Sequence, residues 1–197
     1  MMKKKIITIS REFGSGGRTI GKELAEKLGW DFYDKEIIKR VSVESGLDEK
    51  YVEEHGEHAT GGTFLGYAMA ARNANGMSVD DILWLVQRKI VLDLADGKPC
   101  VIVGRCADYI LKDRADCLHV FIYSDMEKKA HRIVHMYGES EKSPEKRLMD
   151  KDKKRKTNYK YYTGREWGQP QNFDICLNSG ALGIDGCVET ILNLVKD

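Results

Sequence analysis

The sequence predicts an α/β fold in which a parallel sheet is crossed by helices. Three observations predict it. Short apolar runs such as Cys100-Val101-Ile102-Val103 read as strands buried on both faces. Stretches with apolar residues at helical spacing alternate with those runs, as crossover connections require. A glycine-rich turn stands where the first strand would pass into the first helix. At 197 residues the chain suits one globular unit.

Ile6-Ile7-Thr8-Ile9 is the first strand, and Ile20, Leu24 and Leu28 then recur on one helical face, with Gly29 as its stop. Trp30-Asp31-Phe32-Tyr33 is a second short strand, followed by Asp34 as cap of a helix carrying Ile37, Ile38 and Val41. From about Ser42 to Met77 the pattern dissolves into charged and small residues, which predicts a loosely specified helical, mobile insert. Ser78 and Asp81 form a capping box for a helix with Ile82, Leu85, Val86 and Ile90 on one face, ended by Gly97 and Pro99. After the third strand, Cys100–Val103, comes Leu118–Tyr123 as the fourth, with Ser124 and Glu127 as a second capping box. Phe173–Leu177 is the fifth, and Val188, Ile191, Leu192 and Val195 make a closing amphipathic helix. There is no internal repeat.

The 32 basic and 31 acidic residues leave a net charge of +1, which gives no general pull toward nucleic acid or an anionic membrane. No apolar run reaches the roughly 18 to 20 residues of a spanning helix, and Met1-Met2-Lys3-Lys4-Lys5 leads into a short strand rather than a signal-peptide core. A cytoplasmic protein is expected. The five cysteines lack C-x-x-C spacing, and Cys100, Cys117 and Cys176 read as buried free thiols.

The most specific segment is Ser10 to Thr19. Between a strand and a helix, Gly14, Ser15, Gly16, Gly17, Arg18 and Thr19 would aim successive backbone N–H groups at a phosphate, with the Thr19 hydroxyl left for Mg²⁺. Two alignments to phosphate-loop motifs are open. One puts Gly17 and Arg18 on the glycine and lysine of G-x-x-x-x-G-K-[ST]; the other follows G-x-x-G-x-G-K-G-T and puts Gly17 in the lysine's place. Either way the lysine is missing, and Arg18 is its expected partial replacement, with Arg11 or Lys22 next in line.

Four segments in order, I-S-R-E-F-G-S-G-G-R-T at 9–19, F-Y-D-K-E-I-I at 32–38, V-I-V-G-R-C-A-D-Y-I-L at 101–111 and N-F-D-I-C-L-N-S at 172–179, together with D-K-D-K-K-R at 150–155, resemble the cytidylate kinase-like family. The resemblance implies a P-loop NTPase fold: a five-stranded parallel sheet flanked by helices (core 1–41, 78–138 and 172–197), a monophosphate-binding insert at about 42–77 and a lid at about 139–171. It implies transfer of a phosphoryl group from ATP, with Mg²⁺, to a nucleoside monophosphate. In that reading Gly14 to Thr19 and Arg132 hold the donor, and Asp34, Arg105 and Asp108 lie on the acceptor side. Arg18, Arg105, Asp152 and Arg155 act at the transferring group. Residues 139–160 hold nine Lys or Arg against five Asp or Glu, a local basic excess that suits a lid.

Two departures bear on the acceptor. Cytidylate kinases have D-S-G where this chain has Asp34-Lys35-Glu36, and G-R-D where it has Gly104-Arg105-Cys106, so no preference for cytosine is implied. Competing readings are a non-catalytic nucleotide- or anion-binding protein and a kinase of a non-nucleotide small molecule. Plainer readings also stand: Arg105 as a structural ion-pair partner, Arg132 facing solvent, the lid charges as a solvated face. Tyr159, Tyr161, Tyr162 and Trp167 interleave with Lys160 and Arg165, a cluster better suited to packing the lid's hinge than to stacking nucleic acid. Neither nucleic acid nor membrane is an expected partner.

Overall fold

The structure, a computed structural model, describes residues 4–56 and 78–196. Five strands, β1 (Ile6–Arg11), β2 (Asp31–Tyr33), β3 (Cys100–Val103), β4 (Cys117–Tyr123) and β5 (Ile175–Asn178), form one sheet in the order β2-β3-β1-β4-β5. Every pairing is parallel, and Ile9 lies between Val103 and Val120. The described helices are α1 (Gly17–Leu28), α2 (Lys35–Ser45), α3 (Glu49–Gly56), α4 (Val79–Asp96), α5 (Ala107–Ile110), α6 (Met126–Tyr137), α7 (Pro144–Thr163) and α8 (Ser179–Lys196).

Alternation along the strands splits the core in two. Ile7, Ile9, Val101, Val103, Val120 and Ile122 face α1 and α8, where they meet Leu24, Val188 and Ile191. Ile6, Cys100, Ile102 and Cys117 face the other way, onto Ile37, Val41, Ile90 and Val91 of α2 and α4. Burial of apolar residues on both faces is why these strands read as unbroken apolar runs. β1 sits in the middle with β3 and β4 on either side, and the order of strands reverses there. The carboxyl end of β1 is therefore the crevice where such sheets bind ligands.

Helix ends follow local chemistry except where a tertiary partner competes. Gly29 ends α1 in a left-handed conformation, and Ser78 with Asp81 forms the complete capping box of α4. The expected Ser124 box does not form. Asp125 caps α6 by accepting from the Lys128 N–H, while Ser124 is buried behind it. Asp34 occupies the N-cap of α2 without a capping bond, because its carboxylate pairs with Arg18 instead. The buried face of α4 is Leu83, Gln87, Ile90, Val91 and Leu94, leaving Leu85 exposed. Hydrophobicity alone misplaces that face because it passes over Gln87, whose buried amide donates to the Arg105 carbonyl at 3.2 Å.

Of the expected insert, residues 42–56 are described. α2 extends to Ser45 and α3 follows, with Val52 buried against the α2–α4 core. Residues 57–77 lie outside the described residues. Among those described, no helix is long and apolar enough to cross a membrane. Cys100 and Cys117 are buried free thiols, their ionisation pushed up to about 12 by burial, and Cys176 is half-buried.

Candidate active site

β1 leads directly into the glycine turn. Gly14 and Gly16 have φ of 77° and 81°, a region closed to most residues with a Cβ, and Gly16 is the N-cap of α1. No side chain caps this helix end, so the N–H groups of its first turn point out of the turn without a side-chain acceptor. The loop is tied down from behind. Ser15 donates to the Glu12 carbonyl at 2.9 Å, and the Ser15 carbonyl accepts from Ser179 at 2.5 Å. Arg132 donates to the Gly14 carbonyl at 2.6 Å. α8 bends at Gly183, which sets Ile184 against Gly16 so tightly that a Cβ at position 16 would collide with it. Glu12 takes both the Lys129 ammonium, at 2.6 Å, and the Ser124 N–H.

A second turn stands one strand away, at the carboxyl end of β3. Gly104, Arg105 and Cys106 are all left-handed, with φ of 77°, 59° and 52°. Two consecutive side-chain-bearing residues in this region carry a cost of roughly 1–3 kcal/mol each, so the surrounding structure must hold them there. Gln87 does so through the Arg105 carbonyl. Arg105 is 7% exposed, and its Nη1 is buried without a hydrogen-bond partner among the described residues. Asn158 of α7 is buried beside it, with the Cys106 thiol donating to its Oδ1 at 3.8 Å and its Nδ2 also lacking a partner. Both residues line a cavity of about 30 Å³ together with Arg11 and Arg155, and among the described residues no carboxylate lines it.

α7 closes over the glycine turn. Asp152 accepts from the Phe13 N–H at 2.8 Å, and Arg155 lies on the Phe13 ring with Nη1 directed at Asp152 and the Arg11 carbonyl. Burial raises the Asp152 pKa above the ordinary aspartate value, against the Phe13 hydrogen bond and Arg155, which lower it. Leu148, Asp152, Arg155 and Tyr159 recur at helical spacing, and that stripe is the buried side of an otherwise charged helix.

Residues 6–181 match the cytidylate kinase-like family. The chain belongs to that family. A cytidylate kinase of Archaeoglobus fulgidus is 28% identical over 193 residues, covering 96% of this chain and 94% of its own. A crystal structure of an uncharacterized protein from Eubacterium ventriosum superposes with a TM-score of 0.74 at 27% identity, over 98% of this chain and 99% of that one. A shikimate kinase from Acinetobacter baumannii in complex with shikimate shares the fold, with a TM-score of 0.56 at 17% identity over 98% and 93%. This is the P-loop kinase architecture expected from the sequence.

Within this cytidylate kinase-like chain, the structure gathers Arg105, Asp152, Arg155, Arg132 and the Gly14–Gly17 turn around one crevice. Arg18 and Thr19 are exposed on the first turn of α1, and the Arg18 side chain, 60% exposed, reaches the Asp34 carboxylate at 2.5 Å. Arg18 and Asp34 thus engage each other rather than the turn. Asp108 is fully buried under the crevice, where Tyr159 donates to it at 2.6 Å and Ser10 at 3.2 Å. Asn158, Glu12 and Lys129 escaped the sequence reading. Asn158 had a signal, since it lies three residues beyond Arg155 on the same helical face. Glu12 and Lys129 had none.

Burial raises the Asp108 pKa, outweighing the hydrogen bonds from Tyr159 and Ser10 that lower it. The unfolded chain ionises at the ordinary value of about 3.9. Between that value and the raised folded value, the unfolded state alone is ionised, so Asp108 subtracts stability as pH rises. Asp108→Asn removes this pH-dependent loss and leaves a constant offset from the altered hydrogen bonds. Urea unfolding from pH 4 to pH 7.5 is expected to show the variant gaining on wild type as pH rises. A constant or shrinking difference would contradict the buried, proton-retaining carboxyl.

Proposed function

We propose that the chain is an ATP-dependent, Mg²⁺-requiring phosphotransferase whose acceptor is a nucleoside monophosphate, without strong preference for cytidine monophosphate. The observation that carries this reading is the buried Nη1 of Arg105 at the carboxyl end of β3, unpartnered among the described residues, beside a glycine turn that opens a helix. A buried donor of a charged group left without an acceptor costs about 1–3 kcal/mol or more. An oxyanion of the acceptor is the partner that chemistry calls for.

The residues fit ATP. The N-terminus of α1, which no described side chain caps, offers its first backbone N–H groups to phosphate oxygens. Among the described residues no group of three or more His, Cys, Asp or Glu is assembled for a metal. That suits Mg²⁺ held chiefly by phosphate oxygens and water, with the Thr19 hydroxyl at hand. ATP supplies the phosphoryl group: the bond from its γ-phosphorus to the β–γ bridging oxygen breaks, an acceptor phosphate oxygen bonds to that phosphorus, and ADP leaves. Arg105 grips the acceptor phosphate, Arg132 holds the donor turn, and Arg155, oriented by Asp152, offers positive charge between the two. Phosphoryl transfer asks for such alignment and charge neutralisation rather than a covalent nucleophile.

Cytosine recognition lacks its expected groups. Cys106 is spent on Asn158, Asp108 on Tyr159 and Ser10, and Lys35 stands in place of a serine. The test is Mg²⁺-dependent ADP formation across the four ribonucleoside monophosphates and a set of small alcohols and acids, compared as kcat/KM. Transfer to several monophosphates within about tenfold of each other is expected. A roughly hundredfold preference for cytidine monophosphate, about 2.7 kcal/mol, would contradict the relaxed acceptor. Transfer only to non-nucleotide acceptors, or MgATP binding with no transfer, would assign the site to one of the competing readings.

A further inference from the structure

We infer that Arg11 performs the task of the missing phosphate-loop lysine, reaching the donor phosphates from the opposite wall of the turn; this rests on the phosphotransferase reading above. Gly16 is the last residue before α1 and Gly17 the first within it. With Gly14, Gly16 and Thr19 set on G-x-x-G-x-G-K-G-T, the lysine falls on Gly17, the first glycine on Arg11 and the last glycine on Arg18. Two of the three departures then form one exchange: at 11 and 17 the motif has glycine and lysine where this chain has arginine and glycine.

The geometry shows why they go together. A Cβ placed on Gly17 would lie 2.6 Å from the Arg11 Cβ and 3.1 Å from its Cγ, so the two positions share a single side-chain volume. From there the Arg11 side chain crosses to β3, where its guanidinium lies against Gly104, leaving no room for a side chain at that position. Arg11 thereby lines the same crevice as Arg105 and Arg155, the latter directing Nη1 at the Arg11 carbonyl. The other cations near α1 turn away: Arg18 to Asp34, and Lys22, 68% exposed, to Glu26 one turn on. An arginine is permanently charged and bonds phosphate through a planar fork, so it can bridge two phosphate oxygens where a lysine offers one point charge.

The test uses four variants of the full chain, with MgATP affinity by calorimetry, thermal melting and turnover as separate readouts. Arg11→Met keeps the stem and removes the charge; its affinity for MgATP is expected to fall at least tenfold and kcat about a hundredfold, with melting little changed. Arg11→Lys is expected to keep most of both. Gly17→Lys alone is expected to melt well below wild type, because its Cβ meets the Arg11 Cβ. Arg11→Gly combined with Gly17→Lys restores the motif's first glycine and its lysine and is expected to recover melting, MgATP affinity and turnover together. Wild-type affinity and turnover in Arg11→Met would overturn the inference. So would a well-folded double variant with no recovery of MgATP affinity. If wild type binds MgATP but transfers nothing, the phosphotransferase reading fails while the affinity comparison still decides the role of Arg11.

Discussion

Arg105→Ala is expected to lower kcat/KM about a thousandfold, roughly 4 kcal/mol of transition-state stabilisation, while leaving the melting temperature nearly unchanged. The two halves of that expectation have different origins. The side chain is buried and its Nη1 lacks a partner, so removing it deletes a group that the folded chain carries at a cost. The left-handed turn is held partly through the Arg105 carbonyl, which alanine retains along with its bond from Gln87. A structural ion-pair partner would behave in the opposite way, with stability falling and turnover surviving. Steady-state kinetics and calorimetric melting on the same preparation separate the two. Full activity in Arg105→Ala would remove Arg105 from the site.

Lys129→Met should cost about 3 kcal/mol of folding stability. The Lys129 side chain is only 7% exposed and its ammonium lies 2.6 Å from Glu12, itself 27% exposed. Removing one partner of a buried pair strands the other charge, at about 3–5 kcal/mol, and the partial exposure of Glu12 places this pair at the low end. The double variant Lys129→Met with Glu12→Gln strands no charge and should recover at least 1 kcal/mol of the loss. Urea unfolding of the two singles and the double measures the coupling directly. A single-variant loss below about 1 kcal/mol would mean that water already screens the pair. Because Glu12 opens the glycine turn, MgATP affinity should fall with stability in the single variant and return in the double.

The sheet was legible because its central strands β1, β3 and β4 are buried on both faces, which writes them into the sequence as apolar runs. Gly29 and the Ser78–Asp81 box were legible because their chemistry is local. What escaped depends on partners distant in the chain. Asp34 loses its capping role to Arg18 sixteen residues earlier, and Leu85 is displaced from the buried face by Gln87, whose partner lies in another turn. The glycine turn and Arg105 could be read from motifs and from the family resemblance. Glu12 and Lys129 could not, because their pairing spans 117 residues and neither carries a motif. Asn158 lay in a run of lysines, where only its spacing from Arg155 set it apart.

The left-handed run at 104–106 governs what this site can become. At position 106 the backbone excludes β-branched residues and admits aspartate or asparagine at little cost, since those side chains tolerate this conformation better than most. A G-R-D sequence, such as the resemblance leads one to expect, would fit this backbone as readily as the G-R-C found here. Asn158, held by Cys106 through its amide oxygen, would have to rotate to offer its amide nitrogen to a carboxylate in that place. A change at position 106 can thus alter the surroundings of Arg105 while the backbone that presents it stays in place.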